Sequence, residues 1–279
     1  MGNIVWLASY PKSGNTWMRA FLHNLFRDPK QAMNINQMTG SLSQGESSTG
    51  WYRLIDSRPP EEWTHDDIAR MRPRAHEMIA QSQPGSVFCK THCALLSVRG
   101  FPTVNMQVSA GAIYIIRNPL DVVISFADFL GVDIDMATKM MATENFETPV
   151  GGSNVTESLG SWSQHVASWT ATQGHMLTTV RYEDLKSSPV KTFGAVTKFL
   201  QLDVPRGRLE RAIKNSSFKV LKAQEDKFGF VERSPHQERF FRSGKSGGWR
   251  ETLTDDQIAA IVETNRVQME RFGYVPDGF

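Results

Sequence analysis

Cysteine is nearly absent from this chain, and long hydrophobic runs are missing altogether. The 279 residues include two cysteines, Cys89 and Cys93. Two cysteines cannot form a disulfide framework, and their scarcity favours a reducing compartment. No apolar run approaches the roughly 20 residues that a membrane-spanning helix requires. The N-terminus has a strand-like pattern instead of the basic and apolar segments of a signal peptide. These absences predict a cytoplasmic protein with no membrane partner.

An excess of either charge is also lacking. The chain has 31 basic and 29 acidic residues, which gives a net charge of +2. Proteins that bind nucleic acid over a broad surface carry a large basic surplus, so no nucleic-acid partner is expected and any anion site should be local. No internal repeat and no dimerisation motif is evident, which leaves the oligomeric state open. The length suits one large α/β domain, which we expect to span residues 1–279.

Short apolar segments alternate with amphipathic ones along the chain. We predict strands at 3–9, 86–89, 111–117 and 176–180, and helices at 16–27, 64–82, 119–130, 157–172, 189–200 and 254–272. Residues 206–223 are predicted to form one or two short helices. The apolar run of the strand at 111–117 is continuous, as in parallel strands that are covered on both faces. The pattern predicts an α/β fold with a central, mainly parallel sheet flanked by helices, and ligands at the carboxyl ends of its strands. Segments 31–62, 131–154 and 225–250 are expected to be irregular, and the second of them mobile.

The loop after the first strand has the composition of an anion site. Strand, loop and helix together present backbone N–H groups and a helix N-terminus to a phosphate. The residues that would surround the phosphate are Lys12, Ser13, Gly14, Asn15, Thr16 and Trp17. The loop departs from the Walker pattern G-x-x-x-x-G-K-[ST], because it has no glycine pair and its lysine precedes its glycine. An ordinary strand-to-helix turn is the alternative interpretation.

Lys90 and His92 follow the second predicted strand. A histidine with a pKa near 6.5 can accept a proton at neutral pH, and Lys90 could stabilise negative charge beside it. The alternatives are a surface histidine, or a metal site formed by His92 with Cys89 and Cys93. That cysteine and histidine spacing matches no common zinc or haem pattern, so no metal is expected.

Arg117 ends the clearest strand, and Ser125 lies two turns into the helix that follows it. The planar guanidinium suits a phosphate, and the serine adds one hydroxyl donor. The alternative is a salt bridge between Arg117 and Asp121, with Ser125 bonded within its own helix. A last basic, glycine-rich segment, 242–250, could also wrap a phosphate.

These elements, in this order, resemble the sulfotransferases that use 3′-phosphoadenosine 5′-phosphosulfate (PAPS). Residues 10–17 resemble the 5′-phosphosulfate loop of that family, residues 90–92 the segment with the catalytic base, and Arg117 with Ser125 the 3′-phosphate pair. Residues 181–189 resemble the Y-E-D-L-x-x-x-P stretch, whose tyrosine, here Tyr182, lies near the adenine. The remaining nucleotide contacts implied by the resemblance are Ser216, Phe218, Phe241, Arg242, Ser243 and Gly244. The stretch from Trp6 to Lys12 is similar to the bacterial glycopeptide-type members.

The resemblance implies a single domain with the P-loop-kinase-like sulfotransferase fold. It implies transfer of a sulfuryl group from PAPS to a hydroxyl or amine of a small-molecule acceptor, with 3′,5′-ADP as the product and no metal. His92 would take the acceptor proton, while Lys12 and Lys90 would neutralise charge on the transferring group and the leaving oxygen. The family's last loop reads R-K-G-x-x-G-D-W, whereas this chain has Ser243 and Gly248 in place of the lysine and the aspartate. The missing lysine removes one positive charge near the phosphate, so the departure bears on cofactor affinity and not on the reaction class.

Two other functions remain open from the sequence. One is a Walker-type nucleotide-dependent kinase, which would require magnesium. The other is a non-catalytic nucleotide-binding protein of the same fold. The acceptor is not identified by the sequence, although irregular segments carry aromatic residues that could line an apolar cleft: Trp51, Tyr52, Phe129, Phe146, Phe228 and Phe230.

Overall fold

A five-stranded sheet, parallel throughout, forms the centre of the molecule. The computed structural model describes residues 3–38, 40, 42–150, 152–171 and 174–279. Its strands are β1 (Asn3–Ser9), β2 (Ser43–Gly45), β3 (Ser86–Thr91), β4 (Ser97–Val98), β5 (Phe101–Pro102), β6 (Ser109–Ile116) and β7 (Leu177–Arg181). The sheet order is β2-β3-β1-β6-β7, and β4 with β5 forms a separate small hairpin.

Helices cover both faces of the sheet. They are α1 (Asn15–Arg27), α2 (Thr49–Arg53), α3 (His65–Gln81), α4 (Pro119–Leu130), α5 (Ile134–Ala142), α6 (Trp162–Thr170), α7 (Tyr182–Ser187), α8 (Pro189–Phe199), α9 (Arg206–Asn215), α10 (Phe218–Phe228) and α11 (Asp255–Arg271). Short 3₁₀ turns lie at Ile35–Gln37, Pro60–Glu62, Met106–Val108 and Gly248–Glu251. Among the described residues, no helix is both long and apolar enough to cross a membrane.

Alternate residues of the central strands belong to two separate hydrophobic cores, one on each face of the sheet. Trp6 and Tyr114 face the core that contains residues of α3, α4, α5, α6 and α11. Leu7 and Ile113 face the core built with α1, α7, α8 and α9. Because every second side chain of a strand points to the opposite face, a strand buried on both sides must be apolar at every position. This explains the continuous apolar run from which β6 was predicted.

Strand β1 is where the order of the sheet reverses. Its partner on one side is β3 and on the other β6, which follows later in the chain. The loops after these three strands therefore meet at one edge, the position where open α/β sheets bind ligands. Residues 10–14, 92 and 117 lie at this edge.

Four predicted segments are corrected by the structure. Segment 31–62 is not wholly irregular, because β2 within it pairs with β3. Segment 131–154 contains helix α5, capped by the Asp133 side chain, which accepts from Met136 N–H. The helix predicted at 157–172 begins only at Trp162, after the Ser161 cap, and residue 172 of that prediction lies outside the described part. The last irregular segment begins at Gly229, because α10 continues to Phe228.

Candidate active site

The loop between β1 and α1 is held in its shape by its own residues. Lys12 and Gly14 have backbone φ angles of 64° and 106°, both in the left-handed region. The Asn15 side chain donates to the Leu7 carbonyl at 2.8 Å and to the Ser9 hydroxyl at 3.3 Å. Asn15, which is predicted to contact the nucleotide, ties the loop to β1 through its amide nitrogen, while its Oδ1 has no hydrogen-bond partner.

Gly14 is required at its position for two reasons. Its φ of 106° is rarely adopted by other residues. A Cβ there would also lie 2.7 Å from Cδ2 of Tyr182, far closer than carbon atoms can approach. The glycine therefore lets the loop lie directly against the tyrosine ring at the start of α7.

Buried polar atoms without hydrogen-bond partners are concentrated around this loop. Among the described residues, twelve buried side-chain nitrogen and oxygen atoms have no such partner. Half of them belong to one small region, namely Tyr10 Oη, Lys12 Nζ, Ser13 Oγ, Asn15 Oδ1, Trp17 Nε1 and Arg117 Nε. Because buried polar groups in proteins are nearly always satisfied, such a cluster indicates a place where water or a polar ligand can bind. Four of the six atoms are nitrogen or hydroxyl donors from the predicted nucleotide-binding set, so the residues fit an anionic group.

The Lys12 ammonium lies between two aromatic rings. Its Nζ is 3.9 Å from the centroid of Phe240 and 4.7 Å from that of Phe129. Burial lowers the pKa of Lys12 to about 7, with Asp128 opposing the shift and Arg117 adding to it. At neutral pH the lysine therefore exists in both protonation states, and a bound anion would favour the charged one.

Arg117 joins three parts of the site. Its guanidinium stacks on Tyr182, with Cζ 4.4 Å from the ring centroid. Nη1 donates to the Lys12 carbonyl at 3.0 Å, and Nη2 donates to the Lys245 carbonyl at 3.3 Å. Asp121, the alternative partner of Arg117, instead accepts the backbone N–H of Gly247 at 2.7 Å. The arginine thus binds the backbone of both loops that are predicted to contact the nucleotide.

His92 is held as a defined tautomer. Its Nδ1 lies 2.7 Å from the Ser9 carbonyl oxygen. A carbonyl can only accept, so Nδ1 carries the proton and Nε2 of the neutral ring keeps a lone pair. Burial and the nearby Lys90 hold the pKa of His92 well below its usual value, although the bond to Ser9 opposes this. The ring is therefore neutral at pH 7 and can accept a proton at Nε2.

The main chain of His92 is also fixed. His165 is fully buried, and its Nε2 donates to the His92 carbonyl at 3.1 Å while its Nδ1 accepts from the Tyr114 hydroxyl at 2.9 Å. Burial lowers the pKa of His165 to about 3, so the ring stays neutral and these two bonds persist. His165 was not predicted from the sequence, where it lies between Gln164 and Val166 in a predicted helix.

The metal alternative for this segment does not match the geometry. Cys93 Sγ donates to the Glu46 carboxylate at 3.2 Å, and burial raises the pKa of both cysteine thiols. Within the described ranges, no group of three or more histidine, cysteine or acidic side chains is arranged to hold a metal ion.

Three residues outside the predicted nucleotide-binding set, one each on α10, α4 and α7, bind the backbone of the glycine-rich loop and of the residues just before it. The Glu225 carboxylate accepts the backbone N–H groups of Phe240 and Phe241 at 2.7 and 2.8 Å. Asp121 accepts from the backbone further along the loop, as described above. Lys186 donates its ammonium to the Gly244 carbonyl. Only Lys186 had a sequence signal, since it lies within the Y-E-D-L-x-x-x-P stretch.

The remaining predicted nucleotide residues differ in their placement. Phe218 lies against Gly244, where a Cβ would be 2.4 Å from its Cδ2. Arg242 is half-exposed, with Nη1 3.9 Å from Asp128. Ser243 is exposed on the loop, Thr16 and Ser125 are half-buried, and Trp17 packs edge-on against Tyr182. Ser216 is fully buried and donates its hydroxyl to the Ala212 carbonyl at 2.9 Å.

Phe129, one of the aromatic residues suggested for the acceptor cleft, lies at the site. Phe129 contacts Lys12. Tyr52 is fully buried in a small separate core with Trp63, and Phe230 packs with Phe240 and Phe241. Tyr52 and Phe230 therefore serve packing, and the sequence could not separate them from Phe129.

Known proteins include relatives of this chain. A family model described as the sulfotransferase domain matches residues 3–273. Sulfotransferase 1A1 of Canis lupus familiaris is 26% identical over 276 residues, which cover 96% of this chain and 83% of that protein. Flavonol 3-sulfotransferase of Flaveria bidentis is also 26% identical, over 93% of this chain and 79% of the relative.

Solved structures show the same fold. Mouse sulfotransferase SULT7A1, complexed with PAP, superposes with a TM-score of 0.59 at 21% identity and covers 96% of this chain and 84% of its own. Retinol dehydratase in a complex with retinol and PAP has a TM-score of 0.62 at 18% identity, covering 96% and 81%.

Proposed function

Because the chain belongs to the sulfotransferase family, we propose that it transfers a sulfuryl group from PAPS to a small-molecule hydroxyl or amine, with His92 as the general base. Membership confirms the α/β sulfotransferase fold and the enzyme class, a PAPS-dependent sulfotransferase, that the ordered motifs predicted. It leaves no support for the kinase alternative. We further propose that residues 1–279 act as one sulfotransferase domain in the cytoplasm.

The hydrogen bond from His92 to the Ser9 carbonyl is the main support for His92 as the general base. That bond assigns the proton to Nδ1 and leaves Nε2 as the nitrogen that can accept one. Its pKa lies well below the ordinary value, so the ring is neutral but weakly basic before substrates bind. An anionic group near Lys90 would offset the positive charge that helps lower this pKa. The pKa of His92 would therefore rise when PAPS is bound.

The cluster of unsatisfied hydrogen-bond donors supports a binding position for PAPS. PAPS supplies a sulfuryl group on a phosphate that serves as the leaving group. We assign the 5′-phosphosulfate end to the loop of Lys12, Ser13 and Trp17, whose buried polar atoms have no partner. Lys12 and Lys90 bring positive charge to this end, as the electrostatic stabilisation of a leaving oxygen requires. Arg117, with Ser125 nearby in sequence on α4, is assigned to the 3′-phosphate.

The named relatives support a small acceptor. One relative is named for a flavonol, and one of the solved structures contains retinol. We therefore favour a compact organic acceptor that carries a hydroxyl, and regard an amine as the second possibility. Phe129 beside Lys12 provides an apolar surface for such a molecule next to the reacting group.

The test begins with nucleotide preference and continues with turnover. In a thermal-shift assay, 3′,5′-ADP should raise the melting temperature more than ADP with magnesium does. Turnover should then be measured as sulfated product for phenols, steroids, sugars, amines and glycopeptides. The pair 2-naphthol and 2-naphthylamine compares a hydroxyl with an amine on the same ring.

Substitution of the base separates catalysis from binding. His92→Ala should lower kcat by about 10²–10⁴-fold, the usual contribution of a general base, while leaving 3′,5′-ADP binding intact. The exposed His175→Ala is the matched control and should leave kcat unchanged. Near-full activity of His92→Ala would rule out the base assignment. Tight 3′,5′-ADP binding with no transfer to any acceptor class would favour the non-catalytic alternative.

A further inference from the structure

A cluster of buried charged and polar side chains contacts the residues on both sides of His92. At its centre is Glu46, on the turn that follows β2, with an exposed fraction of 1%. Arg72 and His76 of α3 surround it, and both are equally inaccessible. None of these residues belongs to the predicted site, and no step of the proposed reaction uses them.

One oxygen of Glu46 binds the residues on both sides of the base. Its Oε1 accepts the Thr91 hydroxyl at 3.2 Å and the Cys93 thiol at 3.2 Å. The Thr91 hydroxyl oxygen also accepts the Cys93 backbone N–H at 3.0 Å. In addition, the Glu46 backbone N–H donates to the Lys90 carbonyl at 3.2 Å. Residues 90, 91 and 93 are thus all bonded to Glu46, and His92 is the residue between them.

The carboxylate is kept charged by its other neighbours. Arg72 Nε lies 3.7 Å from Oε2 and His76 Nε2 lies 3.5 Å from it. Arg72 is itself fixed, because it donates to the Thr156 carbonyl at 2.5 Å and to the Tyr52 hydroxyl at 3.4 Å. Burial raises the pKa of Glu46, but Arg72 and the bonds from His76 and Cys93 outweigh it and bring the pKa to about 2.

A buried ion pair of this kind is weak evidence for a gain in stability. Apolar residues of the same volume often stabilise a fold equally well, because the charges lose their hydration. What the charged oxygen offers here is geometry, since it fixes two adjacent side chains to one point. Misplacement of a catalytic group by about 1 Å can cost on the order of 10²-fold in rate. The turn at residues 91–93 sets where the His92 ring lies relative to the Ser9 carbonyl.

We propose that Glu46 is a positioning residue for His92, acting through Thr91 and Cys93. It holds the turn so that His92 Nδ1 meets the Ser9 carbonyl and Nε2 remains the proton-accepting nitrogen. This inference rests on the proposed function, because it presupposes that His92 is the base. It adds a buried residue, distant in sequence from the motifs, to the machinery of the reaction.

The mildest test removes one hydroxyl. Thr91→Val keeps the shape of the side chain and deletes both hydrogen bonds of its hydroxyl, the one donated to Glu46 and the one accepted from the Cys93 N–H. We expect kcat to fall about tenfold, with KM for PAPS and the affinity for 3′,5′-ADP unchanged. The matched control is Thr197→Val, which removes a buried hydroxyl bonded to Gly194 in α8. The control should leave kcat within twofold of the wild type.

A double-mutant cycle distinguishes positioning from general damage. In the His92→Ala background, Thr91→Val and Glu46→Gln should cause no further loss of kcat, because the group that they position is gone. An equal fold loss in both backgrounds would overturn the proposal, as would a wild-type-like kcat in both single variants. If Glu46→Gln does not fold, the Thr91→Val cycle alone decides. Near-full activity of His92→Ala would instead contradict the proposed function itself.

A spectroscopic measurement needs no acceptor. Nitrogen-15 NMR of the imidazole should show His92 protonated at Nδ1 in the wild type. In Thr91→Val and Glu46→Gln we expect a mixture of tautomers, and in Thr197→Val the wild-type signal. Retention of the pure Nδ1 tautomer in the first two variants would also overturn the proposal.

Discussion

Binding of 3′,5′-ADP should weaken steeply as the pH rises, because Lys12 must be charged to hold a phosphate. Burial lowers the pKa of Lys12 to about 7 in the nucleotide-free protein. The charged fraction therefore falls from about one half at pH 7 to about one hundredth at pH 9. A phosphate beside Nζ should return the pKa towards the ordinary value of about 10.4. Over this interval Kd should rise about 50-fold.

The phosphates and His92 contribute little to the change in Kd between pH 7 and pH 9, whereas Lys186 needs a control. The phosphates, with a second pKa of about 6, are already ionised. The pKa of His92 lies well below its usual value, so its ring is neutral throughout. The pKa of Lys186 is also lowered, by burial and then by Arg117. Variants of Lys12 are needed to separate its titration from that of Lys186.

Isothermal titration calorimetry measures both Kd and the number of protons taken up on binding. Kd should be determined at pH 7, 8 and 9, in two buffers of different ionisation enthalpy, to count the protons taken up. Uptake should approach one proton per nucleotide above pH 8. Lys12→Arg should bind across the range with little dependence on pH, because arginine stays charged. Lys12→Met should bind weakly at every pH. A wild-type Kd that changes less than threefold from pH 7 to pH 9, without proton uptake, would refute the reasoning.

Two further substitutions probe the walls of the nucleotide site. Gly14→Ala should destabilise the protein by about 1–2 kcal/mol through the left-handed backbone alone, and more through the clash with Tyr182; a wild-type urea midpoint would contradict this. Lys186→Gln should weaken binding of 3′,5′-ADP several-fold but leave 5′-AMP unaffected, because Lys186 contacts the loop at Gly244, which we assign to the 3′-phosphate end. The exposed Lys191→Gln, in the next helix, is the control, and an equal loss for both nucleotides would place Lys186 elsewhere.

The sequence could predict the strands that define the edge of the site because burial leaves a local pattern. β1 and β6 are continuous apolar runs, and the helices α3 and α11 begin at threonine caps, Thr64 and Thr254, which accept backbone N–H groups of the first turn. Strand β2 left no such pattern. Its three residues, Ser43–Gly45, are small or polar and become a strand only because β3 is beside them.

Residue type and spacing determined which groups could carry the chemistry of this protein. Lys12, His92 and Arg117 were named from the sequence because each follows a buried strand, and parallel strands end at one edge of the sheet. The tertiary structure alone decided the state of those groups. The pKa of Lys12 depends mainly on burial, in part under Phe129 and Phe240, and the tautomer of His92 depends on a carbonyl of another strand. Burial, electrostatics and hydrogen bonding act through space, so they depend on residues far apart in the chain.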